Sequence, residues 1–389
     1  MKNYWQDLNK QYRKELVTNI MPFWLKHGWD RKHGGVYTCV DRDGKLMDTT
    51  KSVWFQGRFG WMAAYAYNHI EKNPEWLAAS KSCCEFLEKY CFDKKDGRAY
   101  FEITEDGVGL RKRRYVFSEC FAAIAYAEYS LASGDKTWAK KSVALFKKIQ
   151  KFIANGKKYM PAKYEPALQA QGHSLTMILI NVALVIKQVS NDPVLDEQIT
   201  TSIGLLTKYF IHPEFKALLE MVGPNGEFID TLAGRVINPG HCIETSWFLM
   251  DVAVQRKDKE LLKTALKILD WSWAWGWDKQ YGGIISFKDC RNLPPQCYEQ
   301  DMKFWWPQCE TIIATTYAYK LTKNKKYLEW NKKAHDWAWK HLKDKKYPEW
   351  YGYLHRDGTV AQPAKGNIFK GPFHIPRMLV KMSLLTQDM

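Results

Sequence analysis

Two histidines, one arginine and two glutamates interrupt apolar, aromatic segments that are patterned like helix starts. Arg58 closes Lys51-Ser52-Val53-Trp54-Phe55-Gln56-Gly57-Arg58, and His241 and Glu244 lie in Asn238-Pro239-Gly240-His241-Cys242-Ile243-Glu244. Glu310 closes Lys303-Phe304-Trp305-Trp306-Pro307-Gln308-Cys309-Glu310, and His374 sits in Gly371-Pro372-Phe373-His374-Ile375-Pro376-Arg377. His173 opens a further apolar run after Gly172. An imidazole titrates near pH ~6.5, so each histidine can give or take a proton near neutrality. A guanidinium stabilises developing negative charge. Glu244 is three residues from His241 on one helix face, where a carboxylate fixes the imidazole's tautomer and raises its basicity. Gathered around one pocket, these groups make a proton-transfer site. Each also has a bland reading: Glu244 can complement a helix N-terminus, His374 can be a core histidine, and Trp305 and Trp306 can be packing. A buried Arg58 needs an anion, either a structural carboxylate or an enolate oxygen.

The elements that would gather them are helical throughout. The apolar periodicity predicts twelve helices, roughly 3–27, 50–70, 74–91, 114–132, 135–154, 168–189, 193–211, 241–256, 258–276, 307–321, 325–342 and 374–385. Short connections such as Asn73-Pro74, Ser133-Gly134-Asp135 and Asn191-Asp192-Pro193 force antiparallel neighbours. Longer loops resemble one another. Asp30-Arg31-Lys32-His33-Gly34-Gly35-Val36, Asp93-Lys94-Lys95-Asp96-Gly97-Arg98-Ala99 and Asp278-Lys279-Gln280-Tyr281-Gly282-Gly283-Ile284 each read as a turn leading into a small β-hairpin. This repeat predicts an all-α (α/α)6 barrel over residues 1–389 as one domain, with even helices inside and odd helices outside. Arg58, His173, His241, Glu244, Glu310 and His374 then lie near N-terminal ends of inner helices, and Glu119 about five residues into its own. All would face one mouth, toward which the helix dipoles present positive ends.

Composition narrows the class. Of 389 residues, 46% are hydrophobic, enough for a large core, and the formal net charge is +16. The lysines are dispersed through amphipathic runs, and Arg111-Lys112-Arg113-Arg114 is the densest basic cluster, so a nucleic-acid partner is not expected. Nine cysteines without Cys-x-x-Cys spacing suit a reduced, cytoplasmic protein rather than a disulfide framework or zinc site. No signal peptide or membrane span is expected. Walker, Gly-x-Gly-x-x-Gly, His-Glu-x-x-His and Gly-x-Ser-x-Gly motifs are absent, and no metal ligand spacing stands out.

The four segments around Arg58, His241–Glu244, Glu310 and His374–Arg377 resemble the N-acylglucosamine 2-epimerase family, in order, across essentially the whole chain. The resemblance implies an (α/α)6 barrel and reversible inversion at C2 of N-acetylglucosamine to give N-acetylmannosamine. It implies that His241 and His374 are the acid/base pair and that Arg58 and Glu310 are required. The chemistry needs no cofactor, while ATP is implied as a non-consumed activator, with Gly156-Lys157-Lys158-Tyr159 near the family's nucleotide. A homodimer is implied too. On this reading Arg58 stabilises the enolate oxygen, Glu244 orients His241, and Glu310 holds hydroxyls or tunes a histidine. His173, Trp54, Gln56, Glu119 and Trp306 are the candidate substrate-binding residues, the two tryptophans as stacking platforms. His173 also looks like a histidine of mannose-isomerase and cellobiose-epimerase relatives. An aldose–ketose isomerase or cellobiose 2-epimerase is therefore the alternative, followed by an (α/α)6 glycoside hydrolase using Glu244, Glu310 or Glu119.

Overall fold

The computed structural model describes residues 2–161 and 169–389, so residue 168, where the sixth expected helix begins, lies outside the described residues. The first helix contains one π-helical turn, Leu16–Ile20, between α1 (Lys2–Glu15) and α2 (Met21–His27). Then follow α3 (Val53–His69), α4 (Pro74–Tyr90), α5 (Phe117–Ser133), α6 (Lys136–Ala154) and the single turn α7 (Gly156–Tyr159). The second half holds α8 (His173–Ile186), α9 (Pro193–Leu205), α10 (Pro239–Arg256) and α11 (Lys259–Gly276). It ends with α12 (Trp305–Thr322), α13 (Lys325–His341) and α14 (His374–Leu385). The expected twelve helices are present. The π-turn and α7 account for the two extra segments. Among the described residues no helix is long and apolar enough to cross a membrane.

Helices α3, α5, α8, α10, α12 and α14 form the inner ring: each packs on the next, and α14 closes onto α3. Outside it, α1 packs on α14, α4 on α3, α6 on α5, α9 on α8, α11 on α10 and α13 on α12. The inner helices are buried on most faces, as an all-round apolar pattern requires. Gly57 has a packing reason, because a Cβ there would stand 2.4 Å from the carbonyl carbon of Phe121 where α3 meets α5.

The loops carry the repeat. Lys51 Nζ donates to Asp30 (2.7 Å) and to the Gly34 carbonyl, and Lys303 Nζ donates to Asp278 (3.1 Å) and the Gly282 carbonyl. Five residues past each lysine, an amide clasps the preceding loop: Gln56 pairs with both backbone groups of Val36, and Gln308 with those of Ile284. Glu119 takes the same role by accepting from Ala99 N–H at 2.9 Å, and Cys242 approaches it through the Leu218 carbonyl. Arg58, Phe121, Glu244 and Glu310 each stand two residues beyond a clasp, on matching turns of α3, α5, α10 and α12. The expected hairpin after Asp93 occurs as Glu102–Ile103 with Gly109–Arg111, and Tyr353–Leu354 with Val360–Gln362 forms a second. The loops at Asp30 and Asp278 instead hold isolated bridges such as Val40 to Leu46 and Trp277 to Ile284. Each hairpin adds a third strand from the residues just before an inner helix, Lys51–Ser52 or Lys303–Phe304.

Capping separates the two rings. Asn73, Asp135, Asp192, Asp258 and Asn324 cap outer helices with their side chains. Among the inner helices only α10 has such a cap, from Asn238 to the His241 N–H. The uncapped inner starts leave backbone donors and dipole ends at the mouth where Arg58, His241, Glu310 and His374 lie.

Candidate active site

At the start of α14 the His374 ring is almost buried, and its Nδ1–H donates to Glu310 Oε1 at 2.8 Å. A carboxylate can only accept, so the proton sits on Nδ1 and Nε2 carries the lone pair. Arg377, one turn on, donates from Nη2 to both Glu310 (2.6 Å) and Glu244 (2.5 Å), and the same nitrogen stands 3.3 Å from His374 Nδ1. Trp247 donates to the other oxygen of Glu310 at 2.9 Å. Burial, then the positive charges of Arg377 and Arg58, hold the His374 imidazolium well below its usual range. These surroundings favour the neutral imidazole, with its proton on Nδ1.

His241 has the opposite environment. Its Nδ1 lies 3.1 and 3.0 Å from the two carboxylate oxygens of Glu220. Burial alone would lower its pKa, but the charge and hydrogen bond of Glu220, followed by Glu244 and Glu310, raise it above the ordinary value. Glu220 itself, despite burial, is held well below the usual carboxylate range by His241 and His173. His241 and His374 line one cavity of about 370 Å³, and Trp306 lies between them with ring centroids 5.1 and 5.9 Å away. Only glycine at position 240 admits that indole, since a Cβ would come within 2.5 Å of it.

Arg58 enters the same cavity from α3. Its guanidinium lies 4.1 Å from the Phe121 ring centre, 4.6 Å from Phe373 and 5.2 Å from Trp54. Among the described residues no carboxylate pairs with it, and its Nε has no acceptor. Burial, then Arg377, push its pKa down to about 9, which leaves it charged at neutral pH. Trp54 Nε1, Trp305 Nε1 and Arg377 Nε, also from cavity residues, likewise find no acceptor in the protein. Buried donors are normally satisfied. Four of them around one aromatic-walled cavity suit a ligand rich in oxygen.

The structure brings together Arg58, His241, Glu244, Glu310 and His374, with Trp54 and Trp306 in the cavity wall. It corrects several assigned roles. Glu244 binds Arg377 rather than orienting His241. Glu310 tunes His374 and Arg377 from behind the cavity wall. His173 is fully buried behind His241, with both ring nitrogens engaged by Glu220 and Thr245, and lies outside the cavity lining. Gln56 and Glu119 are loop clasps, also fully buried and outside the cavity. Glu119 additionally accepts from Arg98 Nε at 2.6 Å. Removing it with Glu119→Ala leaves a buried guanidinium without a carboxylate and is expected to cost about 3–5 kcal/mol in denaturant unfolding.

Two functional residues escaped the sequence reading. Arg377 is three residues from His374, so i,i+3 spacing could have paired them. Glu220 is the lone charge in Ala217-Leu218-Leu219-Glu220-Met221-Val222, and a buried charge demands a partner.

A closed double ring of helices with two histidines at its mouth defines an (α/α)6 barrel. The chain belongs to the N-acylglucosamine 2-epimerase (GlcNAc 2-epimerase) family, which it matches over residues 12–372. It is 32% identical to the N-acylglucosamine 2-epimerase of Bos taurus over 381 residues, covering 96% of this chain and 89% of that one. It is 22% identical to the cellobiose 2-epimerase of Bacteroides fragilis, covering 96% and 98%. The fold is shared with the solved cellobiose 2-epimerase of Bacillus thermoamylovorans, at a TM-score of 0.86, 21% identity and coverage of 97% and 99%.

Proposed function

We propose that this chain is a single-domain sugar 2-epimerase that interconverts N-acetylglucosamine and N-acetylmannosamine. The observation that carries the reaction is the pair of imidazoles with opposed protonation, in one cavity, beside an unpaired guanidinium. Pushing two titratable groups apart in this way assigns base and acid. The bovine relative's name supports the substrate.

In the open-chain sugar the aldehyde acidifies the C2 proton. His374 Nε2 takes that proton, and the C2–H electrons form a C1=C2 enolate with its charge on O1. Arg58 holds O1. His241 delivers its proton to the opposite face of C2, and the C1 carbonyl re-forms. Net charge in the site is unchanged, and the reverse reaction exchanges the two roles. A glycoside hydrolase is disfavoured because the oxygens of Glu244 and Glu310 converge on one Arg377 nitrogen instead of facing each other across the cavity.

ATP as a non-consumed activator and a homodimer belong to the same reading and rest on the family resemblance, and a cytoplasmic location rests on the cysteine pattern. Lys157 and Lys158 on α7 are exposed cations, supplying charge rather than a pocket, and no step runs through a nucleotide.

The test is proton NMR of N-acetylglucosamine with the enzyme in D2O. N-acetylmannosamine should appear carrying deuterium at C2. A ketose product would instead identify an isomerase, and no change in either sugar would overturn the reading.

A further inference from the structure

Glu220 lies outside every helix, yet it is the group against which His241 is set. Its backbone is tied on both sides: its carbonyl accepts from His173 N–H at 3.0 Å, and its own N–H donates to the Val236 carbonyl at 3.1 Å. The neighbouring residues Met221–Val222 pair with Gln171–Gly172 just before α8. The side chain is therefore delivered to the gap between α8 and α10. There it meets His241 Nδ1 at 3.0 Å and His173 Nδ1 at 3.4 Å. On the far side of His173, Thr245 Oγ1 lies 2.9 Å from Nε2. A carboxylate only accepts, so His173 turns its Nδ1–H to Glu220 and meets the Thr245 hydroxyl with Nε2.

We infer that Glu220 is a positioning residue that keeps His241 as the proton-delivering imidazolium, with His173 and Thr245 as the strut that holds the carboxylate in line. One negative charge stands between two imidazoles, and only His241 has a ring nitrogen left for the cavity. Other groups face His241 as well. Glu244 from α10 and Glu310 from α12 are both neutralised by Arg377 of α14, and Arg58 of α3 and His374 stand across the cavity. Among the described residues Glu220 is the carboxylate of this group with no arginine or lysine partner; its side chain meets only the imidazoles of His241 and His173. The inference rests on the epimerase reading for the word proton-delivering, but the charge pairing does not.

The expected sign follows from the acid role. His241 must be protonated to act, so activity falls as pH rises through its pKa. Replacing Glu220 with glutamine removes the charge that favours the imidazolium, so this alkaline limb should move to lower pH by about one unit or more. At pH 8, Glu220→Gln should lose up to about tenfold in kcat for each unit the limb moves, with KM within about twofold, and Glu220→Asp should recover part of the loss. A merely structural glutamate would lower activity at every pH without moving the limb.

Nitrogen-15 NMR of the histidines in the wild-type protein gives a reading that needs no variant to fold. His241 should titrate above pH ~6.5, and His173 should hold its proton on Nδ1. A His241 that titrates below its ordinary range would overturn the inference, as would an unmoved alkaline limb in folded Glu220→Gln. If the wild type fails to label C2, the epimerase reading fails, while the NMR titration still decides the Glu220–His241 pairing.

Discussion

His374→Asn is expected to lower kcat for interconversion by about 10²–10⁴-fold, the range for removal of a positioned general base. The fold should survive. Asparagine can still donate an amide N–H toward Glu310, and that carboxylate keeps Arg377 and Trp247 as donors. The more discriminating result concerns exchange without inversion. With His374 gone, His241 can still remove and return the C2 proton of the epimer that presents it to the His241 face. That epimer should take up deuterium at C2 while keeping its configuration, and the other should not. This exchange requires neutral His241, whose pKa Glu220 raises, so its rate should increase with pH. In the wild type the opposite is expected, because the surroundings favour a neutral His374 and a charged His241. Proton NMR in D2O reads both behaviours. Near-wild-type turnover by His374→Asn would return His374 to a packing role, and equal exchange of both epimers would break the assignment of one histidine to each face.

What could be read from the sequence follows from where local rules apply. Arg58, His241, Glu310 and His374 sit near helix starts, and helix starts are written locally in apolar periodicity and in Pro, Gly and Asn signals. Once alternate helices form the inner ring, those residues must share a mouth. Gln56 and Glu119 sit at similar starts, but their side chains turn back onto the preceding loop and hold Val36 and Ala99. The repeat that places Arg58 in the cavity and Glu310 just behind its wall also withdraws the residues two positions earlier, which helical spacing alone cannot reveal. His173 likewise opens α8, yet Thr245 and Glu220 take both of its nitrogens. Glu220 reaches His241 through strand pairing between Gln171–Gly172 and Met221–Val222, a contact between distant loops with no local code.

Arg58→Met is expected to separate activity from stability. The hydrogen-bond donors that meet developing oxyanions are each worth about 10²–10³-fold in kcat, and Arg58 is the cavity cation with no carboxylate of its own. Arg377 cannot replace it, because its Nη2 is spent on Glu244 and Glu310. A loss of about that size in kcat is expected, with little change in KM if the charge on O1 exists only in the enolate. Stability should move the other way or stay level. The guanidinium is walled by Phe121, Phe373 and Trp54 and has an unsatisfied Nε, so the folded protein gains little from its charge. Methionine fills comparable space against aromatic rings without a charge to desolvate. Thermal unfolding and steady-state rates on the same sample decide between the two roles. A structural arginine would show a lowered Tm with kcat preserved. A kcat loss at unchanged or higher Tm places Arg58 among residues kept at a cost to stability because the transition state, not the fold, supplies their counter-charge.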